Sequence, residues 1–242
     1  RGEDDAVVVF FSAPGIALNV KTEDVVYNPP WWPGTTIDGS FITEAHVVAR
    51  VGGAKRKWAN ASFLASRLTE FNTGFDFITG SCGGHAFSFG LGTTLRRCEE
   101  FSIKPHYSSA KFEVRNWTFT VGAKSVEGWV SGPKHQLDIN IHAAGDAAAR
   151  TLPHGIVGQS FSATTPREGK RDAYPGSNAG RFKTSAMAEG AIEGNAAMYE
   201  VTTPYETRFA FSRFDEEEVH PNQELLGVGD GDASATEAAE EE

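Results

Sequence analysis

Residues 135–142 read His135-Gln136-Leu137-Asp138-Ile139-Asn140-Ile141-His142. Leu137, Ile139 and Ile141 share one parity, while Gln136, Asp138, Asn140 and His142 take the other. Successive side chains of an extended chain point to opposite faces, so this stretch is a strand with one face on a core and one in water. The same alternation runs through Ile16, Leu18 and Val20, with Asn19 and Lys21 on the other face. Between residues 111 and 121 the alternation changes phase: Phe112 and Val114 have one parity, and Trp117, Phe119 and Val121 the opposite one. A bulge or tight turn near Arg115-Asn116 repairs that mismatch.

Further strands are predicted over residues 7–11, 41–51, 61–64, 75–78, 86–89, 101–104, 126–130 and 208–214. They are separated by the turn-forming Asn28-Pro29-Pro30, Pro33-Gly34, Gly52-Gly53, Gly83-Gly84, Ser131-Gly132-Pro133 and Pro175-Gly176-Ser177. Many short strands punctuated in this way describe an antiparallel β-sandwich, with barrel-like closure as its variant. Residues 185–198 have helical composition, but Gly190 and Gly194 each cost about 1 kcal/mol relative to Ala there, which leaves room for one short helix at most. No repeat shows at a period of 20 to 50 residues.

Charge is divided unevenly. Residues 215–242 hold eleven carboxylates and no Lys or Arg, so the net −10 of the chain less the −11 of this stretch leaves +1 for residues 1–214. A near-neutral body gives no basic face for nucleic acid. Apolar alternation stops at Phe214, and residues 215–242 are expected to be a disordered acidic tail or linker. The domain expectation is therefore a β-sandwich over 1–214 followed by that tail. No run approaches the roughly 20 apolar residues of a membrane span. The chain opens with Arg1 and shows no basic-then-apolar leader, as expected of a processed or excised piece.

Cys82 and Cys98 lie sixteen positions apart. As a disulfide they would close a loop of about 17 residues, worth roughly 3 kcal/mol in the chain-entropy picture, and two reduced buried thiols are the alternative. Two glycosylation sequons, Asn60-Ala61-Ser62 and Asn116-Trp117-Thr118, favour an oxidising compartment and hence the disulfide.

A catalytic constellation is not legible. Cys82-Gly83-Gly84-His85 places a thiol near an imidazole, as a nucleophile and base require, but Cys98 competes for the thiol. The sequence has no zinc-protease motif, no nucleophile elbow and no phosphate loop. His135 and His142, seven apart on a strand, face opposite sides and hold no common metal. Asp230-Gly231-Asp232 lacks the further oxygens of a calcium loop. No metal or cofactor is expected. Trp31 and Trp32, in a proline-stiffened loop, are the ligand-binding candidates: their indoles can stack on a sugar or a partner, unless one of them caps an open end of the sandwich.

One stretch is too glycine-rich for a plain strand: Leu152-Pro153-His154-Gly155-Ile156-Val157-Gly158-Gln159-Ser160-Phe161. Together with Leu137-Asp138-Ile139-Asn140-Ile141 it resembles the end of the von Willebrand factor type D-like module. The likeness is to the cysteine-poor form at the C-terminus of inter-α-trypsin inhibitor heavy chains and in plant root-cap proteins. The resemblance implies a strand leading into a structural turn of His154, Gly155, Gly158 and Gln159. Gly155 and Gly158 would lie against a neighbouring sheet where a Cβ would clash. Gln159 would satisfy loop backbone groups, or else sit at the surface.

Most of residues 1–214 is also similar to extracellular proteins of unassigned role in unicellular algae and protists. Against that pattern, Arg1-Gly2-Glu3 implies a module truncated at its N-terminal edge. Gly155-Ile156-Val157-Gly158 stands where the type D pattern has a disulfide-rich C-G-L-C, and Ser162-Ala163-Thr164-Thr165-Pro166-Arg167 stands where it has a calcium-binding loop, so no calcium site carries over.

Together these features imply a non-enzymatic adhesion or assembly module of a larger secreted or cell-surface protein. Its expected partners are other extracellular or matrix proteins, with glycans as further candidates. The second reading is a carbohydrate-binding or carbohydrate-active protein using Trp31 and Trp32.

Overall fold

The computed structural model describes residues 6–53, 57–69, 74, 76–90, 95–162, 168–169 and 191–219. The first sheet starts with β1 (Val7–Ala13), β2 (Ile16–Tyr27), β3 (Ile37–Val51), β4 (Lys57–Leu64), β5 (Ile78–Cys82) and β6 (His85–Phe89), each antiparallel to the next. The second holds β7 (Arg96–Cys98), β8 (Phe101–Pro105), β9 (Ser109–Val114) and β10 (Trp117–Ser125). The short β11 (Val130–Ser131) then returns to β2, and β12 (His135–Ala143) closes the second sheet beside β10. The one α-helix among the described residues, α1 (Ala147–Thr151), follows, then the antiparallel pair β13 (Glu168–Gly169) and β14 (Ala191–Ile192), and finally β15 (Glu200–Val201) on the outer edge of β1. The two sheets face each other as a sandwich, with no barrel closure.

Parity explains the packing. On the inner faces, Phe11, Leu18, Val47 and Phe63 of the first sheet meet Phe101, Phe112, Trp117, Phe119 and Leu137 of the second in one continuous core. The phase change at Arg115-Asn116 is a two-residue hairpin: Val114 pairs with Trp117, and Arg115 takes a left-handed φ of 51°. In β12, Leu137 is buried and Ile139 and Ile141 are half-buried, while Asp138, Asn140 and His142 are exposed, which is the alternation expected of this stretch.

Cys82, ending β5, is bonded to Cys98, ending β7, with Cα atoms 5.8 Å apart. The disulfide thus ties one sheet to the other. Gly83 and Gly84, both at positive φ, form the two-residue turn from β5 to β6 and pair Cys82 with His85. The cysteine is engaged and unavailable as a thiol nucleophile.

Several expectations are corrected. Residues 126–130 form no strand beyond Val130, because the turn at Gly128-Trp129 and Gly132 at φ 147° break the extended run. Residues 208–214 alternate in sequence but form turns. Their contacts are made one at a time, Arg213 N donating to Ser12 Oγ at 3.0 Å and Gly15 N donating to the Phe214 carbonyl at 2.9 Å, rather than as a ladder. In the helical-composition stretch 185–198 the described residues hold β14 and the start of a short 3-10 helix, Ala196–Tyr199; residues 185–190 lie outside the described residues, and α1 falls at Ala147–Thr151. Of the stretch 75–78, β5 takes only Ile78, and Phe75 is outside the described residues.

Residues 199–219 form a strap across the outer face of the first sheet. The sheet presents there a cross-strand row of Asn19, His46 and Ser62, polar and yet fully buried. The strap supplies partners to two of them: Asn19 Nδ2 donates to the carbonyls of Pro204 (2.9 Å) and Glu206 (2.7 Å), and Tyr205 reaches Ser62, while His46 bonds to Ser62 within the sheet. Farther along, Phe214 stacks on Trp58 with centroids 5.4 Å apart, and the Arg50 guanidinium lies over both rings. The first residues of the expected acidic tail are part of this strap: Asp215 pairs with Arg50, Glu216 with Arg213, and Val219 N donates to the Arg150 carbonyl at 2.7 Å. Residues 220–242 lie outside the described residues.

Candidate functional site

Three places gather the chain's distinctive chemistry, and they differ in what they leave accessible. The first is the glycine segment after α1. It runs beside β1 past the end of β15: Ser12 and His154 exchange backbone hydrogen bonds of 2.7 and 2.8 Å. Ile156 N then donates to the Val9 carbonyl at 3.0 Å, and Val157 N to the Phe10 carbonyl at 2.9 Å. A register shift in β1 between Val9 and Phe11 accompanies this contact. Gly155 has φ +107°, and a Cβ there would lie 2.7 Å from the Phe10 carbonyl oxygen. A Cβ on Gly158 would press on Phe11 at 3.3 Å. The bare backbone lets the chain close onto β1 and deliver Phe161 to the core, edge-on to Trp117 at 5.2 Å.

Gln159 is 1 % exposed and acts as the hub of this segment. Its Nε2 donates to the carbonyls of Gly155 (3.1 Å) and Ile156 (3.2 Å), and its Oε1 accepts from Glu193 N (2.8 Å). The Tyr199 hydroxyl donates to the Glu193 carbonyl at 2.7 Å. His154 Nδ1 accepts from Gly155 N (2.8 Å) while Nε2 faces the Glu193 carboxylate at 2.9 Å. Burial lowers the His154 pKa, outweighing the opposing pull of Glu193. A neutral ring suits the accepting Nδ1. All four residues expected to form a structural turn are thus engaged in internal bonding or packing.

The second place is unforeseen. Beneath the strap, His46 Nδ1 is 2.7 Å from Ser62 Oγ, Ser62 Oγ is 2.6 Å from the Tyr205 hydroxyl, and the Glu44 carboxylate lies 3.2 Å from His46 Nε2. Serine, imidazole and carboxylate in this order are the groups of a nucleophilic triad. Yet His46 is 1 % and Ser62 4 % exposed, and Tyr205 sits where an acyl group would have to approach. Burial raises the Tyr205 pKa, keeping its hydroxyl a proton-bearing bonding group. With the strap docked the cluster is internal bonding. Glu44 and His46 share the polar parity of β3, a weak signal, while Tyr205 is 143 residues from Ser62 and left none.

The third place is open. The long β2–β3 hairpin ends in the loop of residues 28–36, braced by Trp32 N to the Pro29 carbonyl (3.0 Å), Thr35 N to the Trp32 carbonyl (3.2 Å) and Thr36 Oγ1 to Asn28 Oδ1 (3.1 Å). Because β11 pairs with the end of β2, it sets Trp129 against this tip, 4.9 Å from Trp31 and 6.1 Å from Tyr27. Tyr27 in turn meets Phe41 at 5.5 Å. Trp31 is 65 % exposed. Trp32 is half-buried and lines a cavity of about 310 Å³ with Asn28, Thr35 and Thr36. The two indoles thus divide the roles weighed for them, one projecting and one partly covered.

The sequons differ as well. Asn116 lies in the exposed β9–β10 turn. Asn60 lies inside β4, between β3 and β5, with its Oδ1 accepting from Ser81 N at 2.9 Å and with Ser62 engaged by His46. Among the described residues no group of three or more His, Cys, Asp or Glu side chains is placed to hold a metal ion, and no helix is long and apolar enough to cross a membrane. The chain matches no protein-family profile, no curated protein and no solved structure at a significant level.

Proposed function

We propose that this chain is a non-enzymatic adhesion or assembly module of a secreted or cell-surface protein, a rigid sandwich that presents its aromatic tip to a partner. The observation that carries the reading is the contrast between the tip and the rest. Gln159, His154, Asn19 and Ser62 are all consumed in closing the scaffold, whereas Trp31 stands exposed on a loop held by three hydrogen bonds and three prolines. An ordered aromatic side chain loses little entropy on contact, which suits a recognition surface. A sheet-to-sheet disulfide and a sequon in an exposed turn support an oxidising, extracellular setting. The resemblance of residues 154–161 to the type D-like turn, itself an expectation from the sequence, is in keeping with this reading.

The test is expression of the full-length protein in the cells that make it. Surface biotinylation should recover it, and beads coated with the purified chain should adhere to those cells, less so with Trp31→Ala. Retention in the cytosol, or adhesion that is absent or indifferent to the tip, contradicts the reading.

A further inference from the structure

We propose that the loop of residues 28–36 is a binding site for an uncharged glycan, a step that rests on the tip being the contact surface. The chemistry of the lining selects the ligand class. The cavity beside Trp32 holds about 310 Å³, at the lower end of small-ligand sites and suited to one or two sugar rings. Its polar groups are the amide of Asn28 and the hydroxyls of Thr35 and Thr36, and no charged side chain lines it. An anion would want a cation here, and a metal or amine a carboxylate; neither is supplied. Thr36 Oγ1 and Asn28 Oδ1 satisfy each other, but a purely aliphatic ligand would still desolvate the Asn28 Nδ2 and the Thr35 hydroxyl without offering them a partner.

A neutral pyranose satisfies both halves of the lining. Its flat C–H face covers an indole while its hydroxyls, donors and acceptors at once, meet Asn28, Thr35 and Thr36. Trp31, adjacent in sequence and mostly in solvent, is held edge-on by Trp129 and offers a second ring to a longer chain. Pro29, Pro30 and Pro33 fix the loop before binding, so little ordering cost remains.

The experiment titrates the purified full chain with neutral cello-, xylo- and manno-oligosaccharides and with a charged oligogalacturonide, reading tryptophan fluorescence and calorimetry. The expected result is saturable binding of at least one neutral series, little changed by added salt. Trp32→Ala and Trp31→Ala should each weaken it at least about tenfold. Should Trp32→Ala fail to fold, Trp31→Ala and Asn28→Ala, both at exposed positions, provide the same readout. Binding of none of the neutral series, binding of the charged oligomer alone, or full affinity in the tip variants overturns the proposal. Adhesion that persists and still depends on Trp31 while every neutral glycan fails would overturn the glycan and leave the module reading standing. Loss of surface location would remove the module reading, and the titration on the purified chain would still decide the ligand.

Discussion

Replacing Gly155 by alanine should be among the most damaging single-methyl changes in the chain. At φ +107° an L-residue pays backbone strain of about 1–3 kcal/mol. The new Cβ would lie 2.7 Å from the Phe10 carbonyl oxygen, 2.8 Å from the Phe10 carbonyl carbon and 2.8 Å from Phe11 N, all backbone atoms that cannot rotate aside. The segment must back away from β1, weakening Ile156 N to Val9 and Val157 N to Phe10, hydrogen bonds worth about 1 kcal/mol each. The total is about 3–5 kcal/mol, a large share of the roughly 5–15 kcal/mol of a typical domain. At about 2–4 °C per kcal/mol for a chain of this size, the melting midpoint should fall by about 6–20 °C. Urea unfolding followed by circular dichroism measures it. Gly122→Ala is the control, because its Cβ would meet nothing within 4 Å and no positive φ is involved; it should leave stability unchanged or raise it by up to about 1 kcal/mol. If Gly155→Ala proves as mild as Gly122→Ala, the closure of this segment on β1 is wrong.

Three further outcomes follow from the same structure. Gln159→Leu should cost about 2–4 kcal/mol in urea unfolding, since it strands Glu193 N and the Ile156 carbonyl, whereas the Gly155 carbonyl keeps the backbone N–H of residue 159. A Cys82→Ala/Cys98→Ala variant should lose about 3 kcal/mol, and reductant should lower the wild-type midpoint but not the variant's. For His154 the sign is set by burial: its folded pKa lies below the ordinary histidine value of about 6.5, so the unfolded chain takes up the proton first. Its contribution to stability is complete above about pH 6.5 and is lost as pH falls through the lower folded value. Unfolding midpoints of wild type and His154→Phe measured from pH 8 to pH 4 should therefore differ in slope below pH 6.5 and run parallel above it.

The sandwich was legible because its strands carry their parity openly, as at 135–142, and because the phase change at Arg115-Asn116 calls for a bulge or a tight turn, of which the structure has the turn. The disulfide was legible from spacing and company, and the glycine turn from its bare backbone. The strap was not. Residues 208–214 alternate much as a strand does, and nothing within them reveals that they meet the sheet through single bonds to Ser12 and Gly15 rather than through a ladder. Asp215 and Glu218 read as solvated tail because their partners Arg50 and Arg150 are distant in sequence. The buried His46–Ser62–Tyr205 chain escaped notice for the same reason, its members being joined only by the register of β3 on β4 and by the strap. Trp31 and Trp32 could be singled out by type, but Trp129, brought over by the two-residue β11, could not.

The account stands most directly on peptide mapping, without prior reduction, of the protein recovered from the surface or medium of the cells that make it. It predicts a Cys82–Cys98 cross-linked peptide, a glycan on the turn residue Asn116, and an unmodified Asn60, whose side chain is committed to Ser81 N. Both cysteines as free thiols, in a protein found only in the cytosol and bare at Asn116, would contradict it.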